Sequence, residues 1–435
     1  MANPIDPLDN TNTIHNIGNF IMQYEARQNA FLNALVNRIG MVLVTSKMWN
    51  NPWAMFKRGY MEFGETVEEV FVNIAKPFSF DPQAAETTLY KREIPDVRAA
   101  FHQMNFQKYY KVTISNDQLR QAFLSWQGII DLIAKIVDSM YTAMQKDEYV
   151  TMKYMLCRAA LNGDLYVESS PQATTANMKE MVAGFRAMSS KLTFLSSLYN
   201  KARVENATER NDQYIIISSD LEAQVDVEVL AAAFHMDKAD FLGHLVIVDS
   251  FSEHDQTRLD ELFGDDPDYT YFKTAEITAL QNINAIILDR EWFMIFDMFQ
   301  QMTQNYNGQG LYWQYFLHTW KLFSFSPFAN AVAFTSQTSA ISKVEVTPGT
   351  ANVTQGSDLM MTAAVTGTGL ISKAVTWSIA MGGSKKLAAG TTIDPTSGRL
   401  HVAADETVGN TITVTATSVD GHKGTATITV TAIGA

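Results

Sequence analysis

Residues 115–163 constrain this chain most, because they open with a helix start signal, close with a stop signal and are apolar for most of their length. Ser115 and Gln118 form the S-x-x-Q pattern of a capping box, with Ile114 and Leu119 placed as its staple and Asp117 where the helix dipole favours negative charge. Asn162-Gly163 is a C-terminal stop. The pattern predicts a short helix feeding a very long one, with a kink near Ser125-Trp126 and Gly128. From Ile129 to Leu161 the polar residues Asp131, Lys135, Asp138, Thr142 and Gln145 recur at spacings of three and four. They leave a narrow wet stripe, so the remaining faces must be covered.

That stretch spans roughly 50 Å at the rise of an α-helix, the length of a scaffold element. Burying about a dozen of its large side chains, Val137, Met140, Met144, Met152 and Leu156 among them, gives on the order of 20–35 kcal/mol of gross stabilisation before entropy is subtracted.

A chain of 435 residues with 46% hydrophobic and 18% charged residues can bury a sizeable core and divides into roughly two or three domains. No apolar run reaches membrane-spanning length. Residues 1–30 carry Asp6, Asp9 and Glu25 instead of a basic region followed by an apolar one. The expectation is a chain without signal peptide, anchor or membrane partner that folds in a cytoplasm. Cys157, the single cysteine, excludes an intramolecular disulfide and reads as a small buried hydrophobe. The net charge of −13 lies in residues 1–340, because 341–435 hold as many basic as acidic groups. Neither region offers the basic patch that gripping DNA phosphates requires.

Residues 1–28 read as an Asn- and Asp-rich arm, followed by a helix over 29–38, a strand over 42–45 and a turn at Asn50-Asn51-Pro52-Trp53. Within 53–114, β-rich runs at Val67–Ile74, Thr87–Ile94 and Tyr109–Ile114 suggest a long hairpin that turns between Pro77 and Ala85. A two-stranded hairpin is marginal in water, so its own chain or a neighbouring one must cover it. Its mixed charges, Glu68, Glu69, Lys91, Arg92, Glu93 and Arg98, can fix register against a partner, and they are the candidate inter-subunit contact residues.

Beyond the long helix, a helix at Met178–Lys191, strands at Tyr214–Ser218 and Leu245–Val248, and a short helix at Val227–Phe234 make a mixed α/β unit. Residues 252–280 read as an acidic, irregular insertion, with strands at Ile283–Leu288 and Trp292–Phe296 after it. Tyr312 to Phe334 is aromatic and β-like. From Ile341 the composition shifts to Thr, Val, Ala and Gly, with alternation at Thr411–Ala416 and Ala426–Val430 and turns at Pro348-Gly349, Ser397-Gly398 and Asp420-Gly421. That spacing describes a small β-sandwich.

No enzyme motif survives inspection. The glycine pair in Gly382-Gly383-Ser384-Lys385 lacks phosphate-loop spacing, and none of the eight histidines stands at metal-ligand spacing from another. Asp265-Asp266-Pro267-Asp268 lacks the spacing and terminal Glu of a calcium loop, and Trp313, Tyr315, Trp320 and Phe323 read as core or interface more readily than as a sugar platform. No catalytic residue, cofactor or metal site is expected.

Arg92-Glu93-Ile94-Pro95, Asp117 to Trp126, Leu221-Glu222-Ala223, Asp240-Phe241-Leu242-Gly243, Trp292-Phe293-Met294, Gly310-Leu311-Tyr312-Trp313 and Phe328 to Phe334 occur in this order. Together these runs resemble the major capsid proteins of phi-twenty-nine-like short-tailed phages. The tail, through Val346-Thr347-Pro348, Val375-Thr376-Trp377-Ser378 and Ile412 to Ala416, resembles a bacterial immunoglobulin-like group 2 domain. The resemblance implies an α+β Hong Kong ninety-seven-type capsid fold with a C-terminal immunoglobulin-like β-sandwich. Its parts would be an arm and first helix (1–52), an E-loop hairpin (53–114), a P-domain spine (115–163), an A-domain (164–310) with insertion 252–280, return strands (311–340) and the sandwich (341–435).

It further implies self-assembly as pentamers and hexamers into an icosahedral shell in the host cytoplasm. Scaffolding and portal (connector) proteins would be partners, and double-stranded DNA would be enclosed without specific binding. The hairpin would then lie across a neighbouring subunit. The competing class is a bacterial surface adhesin, for which an immunoglobulin-like domain is also natural.

Overall fold

The computed structural model describes residues 49–62, 65–75, 77, 80, 95–115, 126–174, 176–224, 244–381, 386–388 and 390–432, without the side chains of 115 and 126–133. The expected arm, the helix at 29–38 and the strands at 42–45 and 87–94 lie outside these residues, as do the helices expected at 116–125 and 227–234.

The spine is one helix, Trp126–Leu161, and it runs through Gly128 without interruption. Ser115 ends the strand Phe106–Ser115, opposite Tyr312, and the short helix it is expected to cap lies outside the described residues. The predicted stop is real. Gly163 takes a φ of +73°, its N–H reaches the Ala160 carbonyl at 3.1 Å, and the Asp164 N–H reaches that of Ala159 at 2.9 Å. This is the Schellman pattern, which a residue with a Cβ adopts only with strain.

The chain divides into two units, the first formed from residues 1–66, 103–152 and 295–323. Its sheet has the strand order Lys57–Tyr60, Phe293–Asn307, Tyr312–Phe325, Phe106–Ser115. Alternation along Tyr312–Phe325 turns Trp313, Tyr315, Leu317, Thr319 and Lys321 inward. There Trp313, Tyr315, Leu317 and Ile114 pack against Val137, Met140 and Met144 of the spine. Trp313 and Tyr315 are therefore core residues.

The second unit holds residues 67–102, 153–294 and 324–435. Its central sheet is mixed, in the order Tyr166–Ser169, Ala331–Thr335, Ile283–Asp289, Gln213–Ser218, Leu245–Val248. All seven residues of Ile283–Asp289 are buried, as expected of a strand covered on both faces. Helix Met178–Leu192 lays Met181, Phe185, Met188 and Leu192 on this sheet against Ile215, Ile287 and Phe334.

Segment 252–280 is not irregular: it contains helix Gln256–Phe263 and most of helix Thr274–Gln281. Asp255 caps the first by accepting from the Arg258 N–H at 3.1 Å, and Glu276 accepts from the Lys273 N–H at 2.7 Å to start the second. Many of its acidic residues are thus helix-end and solvent-side residues.

The span 53–114 is not one hairpin either. Its ends are strands of the first unit's sheet, and Val67–Val72 pairs with Val97–His102. The two units meet between 294 and 295, within the fifteen-residue strand Phe293–Asn307, whose polar second half hides its period.

Residues 340–432 form a terminal module of two-, three- and four-stranded sheets. The sheets share one core of Trp377, Leu400, Ile412, Val414, Ile428 and Val430. No helix among the described residues is long and apolar enough to cross a membrane.

Candidate functional site

Two arrangements stand out, a buried ionic joint in the first unit and a ribbon in the second. The joint is built on Glu148 of the spine, whose side chain is fully buried. Lys57 reaches Glu148 at 3.1 Å and Asp297 at 2.5 Å, while Lys321 binds Glu148 and reaches Asp297 at 3.0 Å. Asn51 adds a hydrogen bond from Nδ2 to Glu148 at 2.7 Å. Two cations facing two anions leave the cluster neutral, which is the condition for keeping charges away from water. Burial pushes the Lys57 ammonium toward a lower pKa, but Glu148 and Asp297 outweigh it and hold the pKa above its ordinary value. Burial likewise pushes Asp297 up, and Lys321 and Lys57 overcome this to hold it low. Every charge is matched, so the joint fastens helix to sheet and leaves no acid or base for chemistry.

On the same helix, in the second unit, buried Lys153 donates to Asp249 at 2.7 Å and to the Glu253 carbonyl at 2.6 Å. Burial and the Lys153 charge depress the His254 imidazole to about 4. Burial pushes the Cys157 thiol up to about 12, consistent with an inert packing residue. Among the described residues no group of three or more His, Cys, Asp or Glu could hold a metal ion.

The ribbon is Val67–Val72 paired with Val97–His102, in register Glu68 with Phe101, Val70 with Ala99 and Val72 with Val97. Its inward face mixes polar Glu69, Arg98 and His102 with apolar Val67, Phe71 and Ala100. His102 meets Ser324 at 2.7 Å and Glu69 at 3.2 Å, Arg98 is held by Asp96 at 2.9 Å, and Phe71 stacks on Phe328 at 5.6 Å between ring centroids. Its outward face is apolar, with Val70 57%, Val72 56%, Val97 53% and Phe101 65% exposed.

Of the candidate contact residues, Glu68 points outward, while Glu69 and Arg98 bond within their own chain. Lys91, Arg92 and Glu93 lie outside the described residues. Sequence reasoning missed the outward apolar row because it paired Val67–Ile74 with 87–94, and a strand's faces can be assigned only once its partner is known. It also missed Asp147, Glu148 and Lys153 as buried charges. The available signal was that Asp147 and Glu148 continue past Gln145, where the wet stripe's spacing breaks down.

A long spine helix packed on one sheet, a second mixed sheet and a two-stranded ribbon make up the mixed α and β, Hong Kong ninety-seven-like fold of phage capsid chains. The capsid structure of Staphylococcus phage Andhra shares this fold, with a TM-score of 0.51 and 16% identity over 67% of this chain and 86% of that one. The chain belongs to the family described as Phi29-like phage major capsid protein, whose pattern matches residues 4–335. It is 36% identical over 417 residues to the major capsid protein of Bacillus phage B103 and 34% identical over 417 residues to that of Bacillus phage PZA. In each case the match covers 94% of this chain and 85% of the relative. Its function is that of a phage major capsid protein, a structural component of the virion, and the adhesin alternative falls away.

Proposed function

We propose that the chain assembles as pentamers and hexamers into an icosahedral shell in the host cytoplasm, guided by a scaffolding protein and joined by a portal protein, and encloses double-stranded DNA without binding it specifically. The observation that carries this reading is the ribbon's outward row of Val70, Val72, Val97 and Phe101. Such a patch measures roughly a few hundred Å², the size that marks an interaction site, and about half of one partner's share of a standard interface.

The ribbon lies across a neighbouring copy. Glu68 and the apolar row touch that copy, Lys91, Arg92 and Glu93 extend the contact, and Glu69 and Arg98 orient the ribbon from beneath. A contact between unlike surfaces repeats around a ring and can close it. The net charge of −13 supports a lumen that repels DNA. Residues 53–114, 115–163 and 164–310 correspond broadly to the E-loop, P-domain spine and A-domain. The terminal module is an immunoglobulin-like group 2 domain on the outer surface, supported by its three sheets around one core.

Electron microscopy of the chain co-expressed with its scaffolding protein tests the proposal. Closed shells are expected from the native chain, and only monomers or dimers from the double variant Val70→Asp, Phe101→Asp. Normal shells from that variant would remove the ribbon from the contact. A failure of the native chain to form shells under any condition would remove the assembly reading.

A further inference from the structure

We propose that the terminal module, residues 340–432, is a clamp that fixes the attitude of the ribbon, acting through Arg98. This proposal goes beyond the shell reading and does not depend on the module's immunoglobulin-like assignment. Arg98 lies on the inward face of Val97–His102. Its guanidinium donates to the Ala202 carbonyl, to the Thr396 hydroxyl of the module at 3.2 Å and to Asp96 at 2.9 Å. One side chain thus joins the ribbon, the loop carrying Ala202 and the module.

The module presents Thr396 in a rigid setting. Asp394 accepts from the Thr396 N–H at 2.8 Å, from the Thr396 hydroxyl at 2.7 Å and from the Ser397 N–H at 3.0 Å. A hydroxyl that gives its proton to Asp394 keeps its lone pairs for Arg98, so the direction of the bond is set. Burial alone would raise the Asp394 pKa, but the Ser397 and Thr396 hydrogen bonds and the Arg98 charge hold it below the ordinary value.

Two further contacts keep the module in place. Arg203, at a φ of +57°, donates to the Leu198 carbonyl at 3.3 Å and to the Val375 carbonyl of the module at 3.2 Å. At Gly163 a Cβ would stand 2.7 Å from Lys373 Cγ and 2.9 Å from the Ile371 carbonyl, so these residues close directly on the end of the spine. The module is therefore seated against the spine end, the 198–203 loop and the ribbon. A two-stranded ribbon is marginal by itself, and a seated module gives it a fixed bracket.

Hydrogen exchange on the full-length, unassembled subunit tests the clamp. Thr396→Val removes the acceptor at nearly constant volume and should speed exchange of the 67–72 and 97–102 amides roughly tenfold, the loss expected for a hydrogen bond to a charged group. Thr396→Ser should restore native rates. Gly163→Ala, which pushes on the module away from Arg98, should also loosen the ribbon. Unchanged ribbon exchange in Thr396→Val, or loosening by Gly163→Ala confined to the spine end and the module, would overturn the proposal.

Discussion

Lys321 and Glu148 face each other inside the first unit with side chains only 3% and 0% exposed, although the first belongs to a strand and the second to the spine. Removing one member strands a charge away from water. Lys321→Met should therefore lower the unfolding free energy by about 3–5 kcal/mol, read from the denaturant midpoint and slope. The double variant Lys321→Met, Glu148→Leu leaves Lys57 paired with Asp297 and should lose much less than the sum of the two single changes. An additive loss would show that the four groups do not act as one cluster.

The joint's pH limits follow from the directions of its shifts. Asp297 titrates below its ordinary value of 3.8 in the folded chain, so its stabilisation is present above that value and disappears as pH falls through the depressed one. Lys57 titrates above 10.5, so its contribution is present below that value and lost as pH rises through the raised one. Denaturation midpoints of native chain and Asp297→Asn should converge in strong acid, where the native carboxylate is protonated, and differ at pH 7. A difference independent of pH would contradict this.

His254 sets an earlier acid limit. Its folded value is about 4 against an ordinary 6.5, so the unfolded chain binds the proton first. Stability falls as pH drops through that interval. His254→Asn should flatten the dependence of the midpoint between pH 6.5 and 4. An imidazole resonance titrating near 6.5 in the native chain would refute the assignment.

Cys157 should resist thiol reagents at pH 8 in the native chain and react at once in denaturant. Its sulfur is fully buried, lies 3.5 Å from the Phe251 carbonyl, and has a thiol pKa pushed up by burial. Rapid native labelling, measured by mass spectrometry, would mean that the spine opens locally at this point.

Gly398→Ala should destabilise the terminal module by about 1–3 kcal/mol. The position has a φ of +74°, and a Cβ there would lie 2.7 Å from the Trp377 ring and 2.8 Å from the Met361 carbonyl. Calorimetry of the full chain should show the corresponding drop in its unfolding temperature.

The spine's length and its stop at Asn162-Gly163 were legible because helical periodicity and capping are local properties. Alternation made the strands Thr411–Ser418 and Lys423–Thr431 readable for the same reason. Pairing is not local. Val67–Val72 carries equally good alternation toward several partners, and only its register with Val97–His102 decides that Glu69 points in and Val70 points out. The helices within 252–280 were hidden by short length and many acidic residues, since eight-residue helices owe their stability to packing more than to propensity. Glu148 and Lys321 are 173 positions apart, and nothing in either neighbourhood announces the other.

The outward valines and phenylalanine of the ribbon also govern the subunit before any shell exists. A newly folded copy displays a greasy strip on a two-stranded ribbon, a surface that drives chains to stick in the wrong order. With the ribbon seated on a neighbouring copy, as proposed, the survival of a free subunit becomes a race between that capture and clumping, and both accelerate with concentration.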